Sequence, residues 1–238
     1  MDLITYSTLI KVYCRVGDVA RALELFETMK SAGMIADEVV YNSLMDGCLK
    51  ADSLTQGLLI YEELLASGVQ PSNFTYSILI KIYGKQKDLD NAFKVLDMMK
   101  VKGINPGMIV YTCMIQSCLR AKKLKLALQV YGDMVGNGIQ GDRVLYNTLI
   151  NGCVYNRNPN AGVQIMKDAT NNGVKLADDV YNKLLEFVMR GQRHDEASEI
   201  MKMMRTMGTS PQKRGEILTD MVYKNQNRQT KFYNRNKY

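Results

Sequence analysis

Two columns of side chains, each recurring every 35 residues, carry the polar chemistry of this 238-residue sequence. One is basic: Arg15, Lys50, Lys85, Arg120 and Arg190, with Tyr155 in the remaining place. The other holds a hydroxyl or an amide: Ser7, Asn42, Ser77, Thr112, Asn147 and Asn182. Evenly spaced cations suit a polyanion, and the helix dipole that could account for their sign does not account for the accompanying hydroxyls and amides, so the pair of columns points to a threaded nucleic-acid backbone. Neither column is a catalytic set. His194, the single histidine, has no partner for a triad or a metal set and reads as a surface residue in an inter-helix turn. The five cysteines form no C-x-x-C pair, and Cys48, Cys118 and Cys153 share one place in three repeats, which reads as core filler. Asp178 and Asp179 stand without the further ligands a cation needs, and no glycine-rich phosphate loop is present. The expectation is a protein that binds and is not an enzyme, with no cofactor, no metal and no small-molecule substrate.

These columns need helices to position them. Ile4, Ser7, Lys11 and Arg15 fall within about 80° of arc at 100° per residue, whereas Tyr6, Leu9, Ile10 and Tyr13 fall on the opposite side and form a core stripe. A break at Val16-Gly17-Asp18 leads to a second helix from about Val19 to Ser31, with Ala22, Leu23, Leu25, Phe26 and Met29 facing inward. The pattern repeats six times without insertion. Tyr6, Tyr41, Tyr76, Tyr111, Tyr146 and Tyr181 mark one column, and Gly33, Gly68, Gly103, Gly138, Gly173 and Gly208 another. The glycines fit helix C-termini in the left-handed region, and Pro71, Pro106 and Pro211 follow three residues later and stop any continuation. A third column is always small: Ala22, Gly57, Ala92, Ala127, Gly162 and Ala197, which predicts close helix approach. A pair of helices this short cannot bury its apolar face alone, so the units at 3–37, 38–72, 73–107, 108–142, 143–177 and 178–212 are expected to stack into an all-α superhelix.

Charge sharpens the placement. Of the net +7, residues 213–238 hold +5, seven cations against Glu216 and Asp220, which leaves +2 for everything before. Net charge is therefore a weak argument for nucleic acid, and the columns a stronger one. Ile217, Leu218, Met221 and Val222 predict a capping helix over 213–226, followed by a basic, disordered tail over 227–238. The first repeat has no counterpart cap, so a protein partner or self-association through it is a further expectation. No apolar run is long enough for a membrane span, and the opening Met1-Asp2-Leu3-Ile4-Thr5 does not read as a targeting peptide.

The strings Ile4-Thr5-Tyr6-Ser7-Thr8-Leu9-Ile10, Val39-Val40-Tyr41-Asn42-Ser43-Leu44-Met45 and Val144-Leu145-Tyr146-Asn147-Thr148-Leu149-Ile150 resemble the opening of a pentatricopeptide repeat. Ala22-Leu23-Glu24-Leu25-Phe26 with Met29-Lys30 and Gly33 resembles its end. The related tetratricopeptide repeat has a 34-residue period and a tryptophan signature, and this chain has no tryptophan. The resemblance implies an array without a catalytic domain, folded as a right-handed superhelical solenoid of helix-turn-helix pairs (an α-α superhelix). It implies single-stranded RNA as ligand, one repeat per base, and residence in a mitochondrion or chloroplast. The implied base-reading pairs are Ser7 with Asp37, Asn42 with Ser72, Ser77 with Gly107, Thr112 with Asp142, Asn147 with Ala177, and Asn182 with Gln212. Ile4, Val39, Phe74, Ile109 and Val144 are the implied base-sandwiching residues, with Asp179 breaking that column. By the family's recognition rules the implied site is 5′-G-Y-R-G-Y-Y-3′. An RNA-processing, splicing, stability or translation role follows by resemblance; the alternative is a protein-protein scaffold holding a peptide or helix in its groove.

Overall fold

The computed structural model describes residues 2–210, which form twelve α-helices and no strand. They fall into two compact units, one ending at Asn137 and one beginning at Gly138. The expected capping helix (213–226), the tail (227–238), Pro211 and Gln212 lie outside the described residues.

The first unit holds four antiparallel pairs: α1 (Leu3–Val16) with α2 (Val19–Ser31), α3 (Glu38–Lys50) with α4 (Leu54–Ala66), α5 (Asn73–Gln86) with α6 (Leu89–Val101), and α7 (Met108–Arg120) with α8 (Leu124–Gly136). Within it α1 packs on α3, α3 on α5 and α5 on α7, so the first helices of the pairs make a continuous layer. The second unit holds α9 (Arg143–Tyr155) with α10 (Pro159–Asn171) and α11 (Asp178–Arg190) with α12 (His194–Thr206), and α9 packs on α11.

The tyrosine column is buried throughout and anchors each pair. Two of its hydroxyls are partnered by the residue that ends the second helix: Asn137 Nδ2 donates to Tyr111 Oη at 3.0 Å, and Asn172 Nδ2 to Tyr146 Oη at 2.8 Å. Asn137→Ala should therefore cost about 1 kcal/mol in urea unfolding, because Tyr111 keeps its burial and loses that donor. An unchanged midpoint would show the bond contributes nothing net.

The small column works as its sequence suggests. A Cβ on Gly57 would lie 2.9 Å from Ile82 Cδ1 and 3.4 Å from Cys48 Cβ; one on Gly162 would lie 3.0 Å from Leu184 Cδ1 and 3.4 Å from Cys153 Cβ. The same contact thus explains the small column and the recurring cysteine opposite it. Gly33 and its five equivalents take φ between 64° and 80°, as a left-handed helix end requires. The turn inside each pair is left-handed too, but only the first uses glycine. Asp52, Lys87, Lys122, Arg157 and Gln192 adopt φ of 55–60° there, which sequence reading of Gly17 alone did not reveal.

Candidate functional site

Each first helix begins in the same way. The residue ahead of it is extended, and where it carries an oxygen it closes the first turn. Asp2 accepts from Thr5 N at 2.8 Å, Asp37 from Val40 N at 2.9 Å, and Asp142 from Leu145 N at 2.8 Å. Ser72 accepts from Phe74 N at 3.1 Å and forms a capping box with Thr75. Gly107 and Ala177 hold the same place without a side-chain cap. The residues expected to read bases from the repeat junctions are thus also helix N-caps. The signal was present in the sequence, an Asp or Ser directly ahead of an apolar-periodic run.

The second residue of each first helix carries the expected sandwiching column. Ile4, Val39, Phe74, Ile109 and Val144 are all exposed, between 49% and 76%. A large apolar side chain is thus left in water at the same helix position in each of these five pairs. In the sixth pair Asp179 stands there instead, hydrogen-bonded to Lys183 at 2.8 Å; that bond holds its carboxyl below the usual range.

The amide and hydroxyl column lies one turn further along, deeper than the apolar one. Ser7, Thr112 and Asn147 are half-buried, whereas Asn42, Ser77 and Asn182 are buried. Ser77 Oγ donates to Phe74 O at 2.7 Å, and Asn182 Nδ2 donates to Asp178 O at 2.7 Å. Asn147 Oδ1 accepts from Ala177 N at 3.2 Å, which joins the two members of that pair directly. Asn42 Nδ2 donates to Glu38 Oε1 at 2.9 Å, while Asn42 Oδ1 is enclosed and has no donor among the described residues. Burial alone would raise the Glu38 carboxyl, but hydrogen bonds from Ser72, Thr75 and Asn42 outweigh it and hold it below its usual range.

A cavity of about 280 Å³ opens in the first unit between these columns. Val39, Phe74, Asn42, Ser43, Arg15 and Lys50 line it, together with Lys11, Cys14 and Asp46. One exposed apolar side chain from each of two successive pairs, one buried amide and two cations of the basic column therefore meet around a single concavity. Its volume is at the small end for ligand sites.

The basic column is not uniform. Arg15 and Arg120 have no ion-pair partner among the described residues. Lys50 pairs with Asp46 at 2.6 Å and Arg190 with Glu186 at 3.4 Å, each exposed cation meeting a half-buried acid one turn back on the same helix. Such pairs are weak and open to exchange. Lys85 is tied more firmly, donating to Leu49 O at 2.7 Å and Asp52 Oδ1 at 3.0 Å. Tyr155 is exposed in the same column.

Groups with other chemistry are held away from it. All five cysteines are buried and free, and burial pushes the thiols of Cys14 and Cys153 up to about 12 and those of Cys48 and Cys118 up to about 11. They are packing groups, not nucleophiles. His194 departs from its expected place in a surface turn: it is the first residue of α12, half-buried, with Nδ1 enclosed and unpartnered. Among the described residues no group of three or more His, Cys, Asp or Glu side chains is placed to hold a metal, and no helix is long and apolar enough to cross a membrane.

Comparison with known proteins bears on this geometry. The pentacotripeptide-repeat region of PRORP matches residues 4–115, the PPR repeat family residues 106–154, the PPR repeat residues 144–174 and the pentatricopeptide repeat domain residues 164–213. Among solved structures, the pentatricopeptide repeat protein PPR10 from maize superposes with a TM-score of 0.69 at 21% identity, over 94% of this chain and 34% of that one. PPR10 in complex with an 18-nt psaJ RNA element gives 0.69 at 22% identity, over 87% of this chain and 31% of that one. The PPR domain of Arabidopsis thaliana protein-only RNase P 1, in complex with tRNA, gives 0.64 at 20% identity, over 76% and 95%. The chain spans about a third of the PPR10 chains, and at these identities the likeness is one of fold. No curated protein sequence matches the chain.

Proposed function

The chain belongs to the pentatricopeptide repeat proteins, and from that premise we propose that it is an RNA-binding adaptor that holds a single-stranded segment along its first helices, one repeat to a base. The observation that carries the reading is the register of exposed apolar residues at Ile4, Val39, Phe74, Ile109 and Val144, with a cavity between Val39 and Phe74 into which the buried amide of Asn42 fits as a base-edge partner. Bases have apolar faces and polar edges, so a slot with apolar walls and a polar floor suits them. Arg15 and Lys50 at the same cavity suit the phosphates. That PPR10 and the RNase P repeat domain were each solved with RNA supports the class of ligand.

On this reading the proposed site is 5′-G-Y-R-G-Y-Y-3′, the amino-terminal repeat at the 5′ end, and the sixth base rests on Asn182 with Gln212. A role in RNA processing, splicing, stability or translation belongs to the same proposal. Arg15, Arg120, Lys50 and Arg190 are free or weakly paired, so affinity should fall with salt at a log-log slope of about −2.8, at about −0.7 per contact. A slope near zero would favour a peptide or helix in the groove instead. Selection from a random RNA pool tests the base reading: the paired change Asn42→Thr and Ser72→Asp should move the second base toward G, and an unchanged motif would refute one repeat per base.

A further inference from the structure

We propose that Glu38 is a positioning residue that fixes the amide of Asn42, so that the second repeat selects cytosine, whereas the fifth repeat, with the opposite amide orientation, selects uracil. The inference rests on the base-reading function above and assigns chemistry to a residue outside the reading pairs and the sandwiching column.

A carboxylate only accepts hydrogen bonds, so the amide of Asn42 must turn its NH2 toward Glu38 Oε1, 2.9 Å away. The carboxylate is itself held in place. Thr75 Oγ1 donates to the same Oε1 at 2.9 Å, and Ser72, the other member of the reading pair, hydrogen-bonds to it as well. The polar atom of Asn42 left without any partner is Oδ1, enclosed, on a residue 7% exposed that lines the cavity. Such an acceptor calls for a donor from whatever fills the cavity. Cytosine presents an exocyclic amino group at one end of its pairing edge; uracil presents a carbonyl oxygen there. The negative charge of Glu38 beside the amide favours the amino group and repels the carbonyl.

In the fifth repeat the polarity reverses. Asn147 Oδ1 is taken by Ala177 N at 3.2 Å, and its NH2 has no partner among the described residues. Arg143 stands where Glu38 does, one turn ahead on the same helix face, and its cation favours a carbonyl. Two asparagines at the same repeat position thus offer opposite halves of their amides.

Binding of the full chain to RNAs that differ in one base tests this. The wild type should prefer cytosine over uracil at the second base and uracil over cytosine at the fifth, each by about tenfold. Glu38→Gln supplies donors as well as an acceptor and lets the amide rotate, so the second preference should collapse toward unity with the fifth unchanged. Arg143→Glu, at an exposed position, should move the fifth base toward cytosine and serves as the readout even if Glu38→Gln fails to fold. A discriminating wild type whose preferences survive both substitutions, or one that prefers uracil at the second base, overturns the proposal and leaves base reading intact. A wild type that binds RNA with no base preference, or binds none, overturns the reading on which it rests.

Discussion

Exchanging Val39 and Phe74 together for aspartate will weaken binding of a matched single-stranded RNA about a hundredfold and leave stability within about 1 kcal/mol of the wild type. The first half follows from stacking, worth about 1–3 kcal/mol per base on an apolar or aromatic wall, with two walls of one slot removed. The second follows from position. Both residues are about half exposed, 53% and 49%, so little buried surface is lost. Each is also the second residue of its helix, where an aspartate interacts favourably with the helix dipole by about 0.5 kcal/mol. Titration of a fluorescent RNA alongside a urea melt separates the two effects. Loss of binding with loss of fold would show that these side chains serve the core, and retained binding would show that the column clamps nothing.

Replacing Gly84 by valine should produce the largest loss of stability, about 3 kcal/mol. A Cβ there would lie 2.1 Å from Ser117 Oγ and 2.7 Å from Ser117 Cβ, where α5 and α7 touch along their first-helix layer. Ser117 cannot simply swing aside, since it is buried and its Oγ donates to Cys113 O at 2.8 Å. The α1–α3 contact has the reverse arrangement: the bulk, Cys14, is on the earlier helix and the gap, Gly47, on the later. The paired exchange Gly84→Ser with Ser117→Gly should therefore recover most of the loss. Equilibrium unfolding of Gly84→Val, of Gly84→Ser alone and of the pair forms the test, and equal destabilisation by Gly84→Ser alone and by the pair would show that the close approach is not what Gly84 provides.

Much of this molecule could be read from the period of its sequence. The tyrosine, glycine and small columns announced the helix pairs, and the α1 and α2 ranges fall within a residue or so of those expected from Ile4 to Ser31. The open face was legible as well, because the residues left over from the core stripe had to lie on it. What resisted reading has no periodic mark. The left-handed turns at Asp52, Lys87, Lys122, Arg157 and Gln192 use four residue types, because the tertiary contacts around a short turn can outweigh a preference of about 1 kcal/mol. The pairing of Lys50 with Asp46 was readable from a spacing of four, whereas that of Lys85 with Asp52 joins different repeats and appears only once α3 and α5 are stacked. The orientation of an amide, on which the contrast between Asn42 and Asn147 depends, is set by neighbours that carry no period: Glu38, held by Ser72 and Thr75, in one repeat, and the Ala177 backbone with Arg143 in the other.

The helix caps bear on how a protein of this kind acquires a new target. At Asp37, Ser72 and Asp142 one side chain closes a helix and, on the proposed reading, would also discriminate a base. A mutation that retunes discrimination there also loosens a helix by about 1 kcal/mol, unless the newcomer caps as well. Serine, threonine, aspartate and asparagine satisfy both demands, so evolutionary routes between targets run within that small alphabet. Gly107 and Ala177 hold no cap to lose. They are the places where drift toward a new target is least opposed by the fold, and where a gain in selectivity brings rigidity with it.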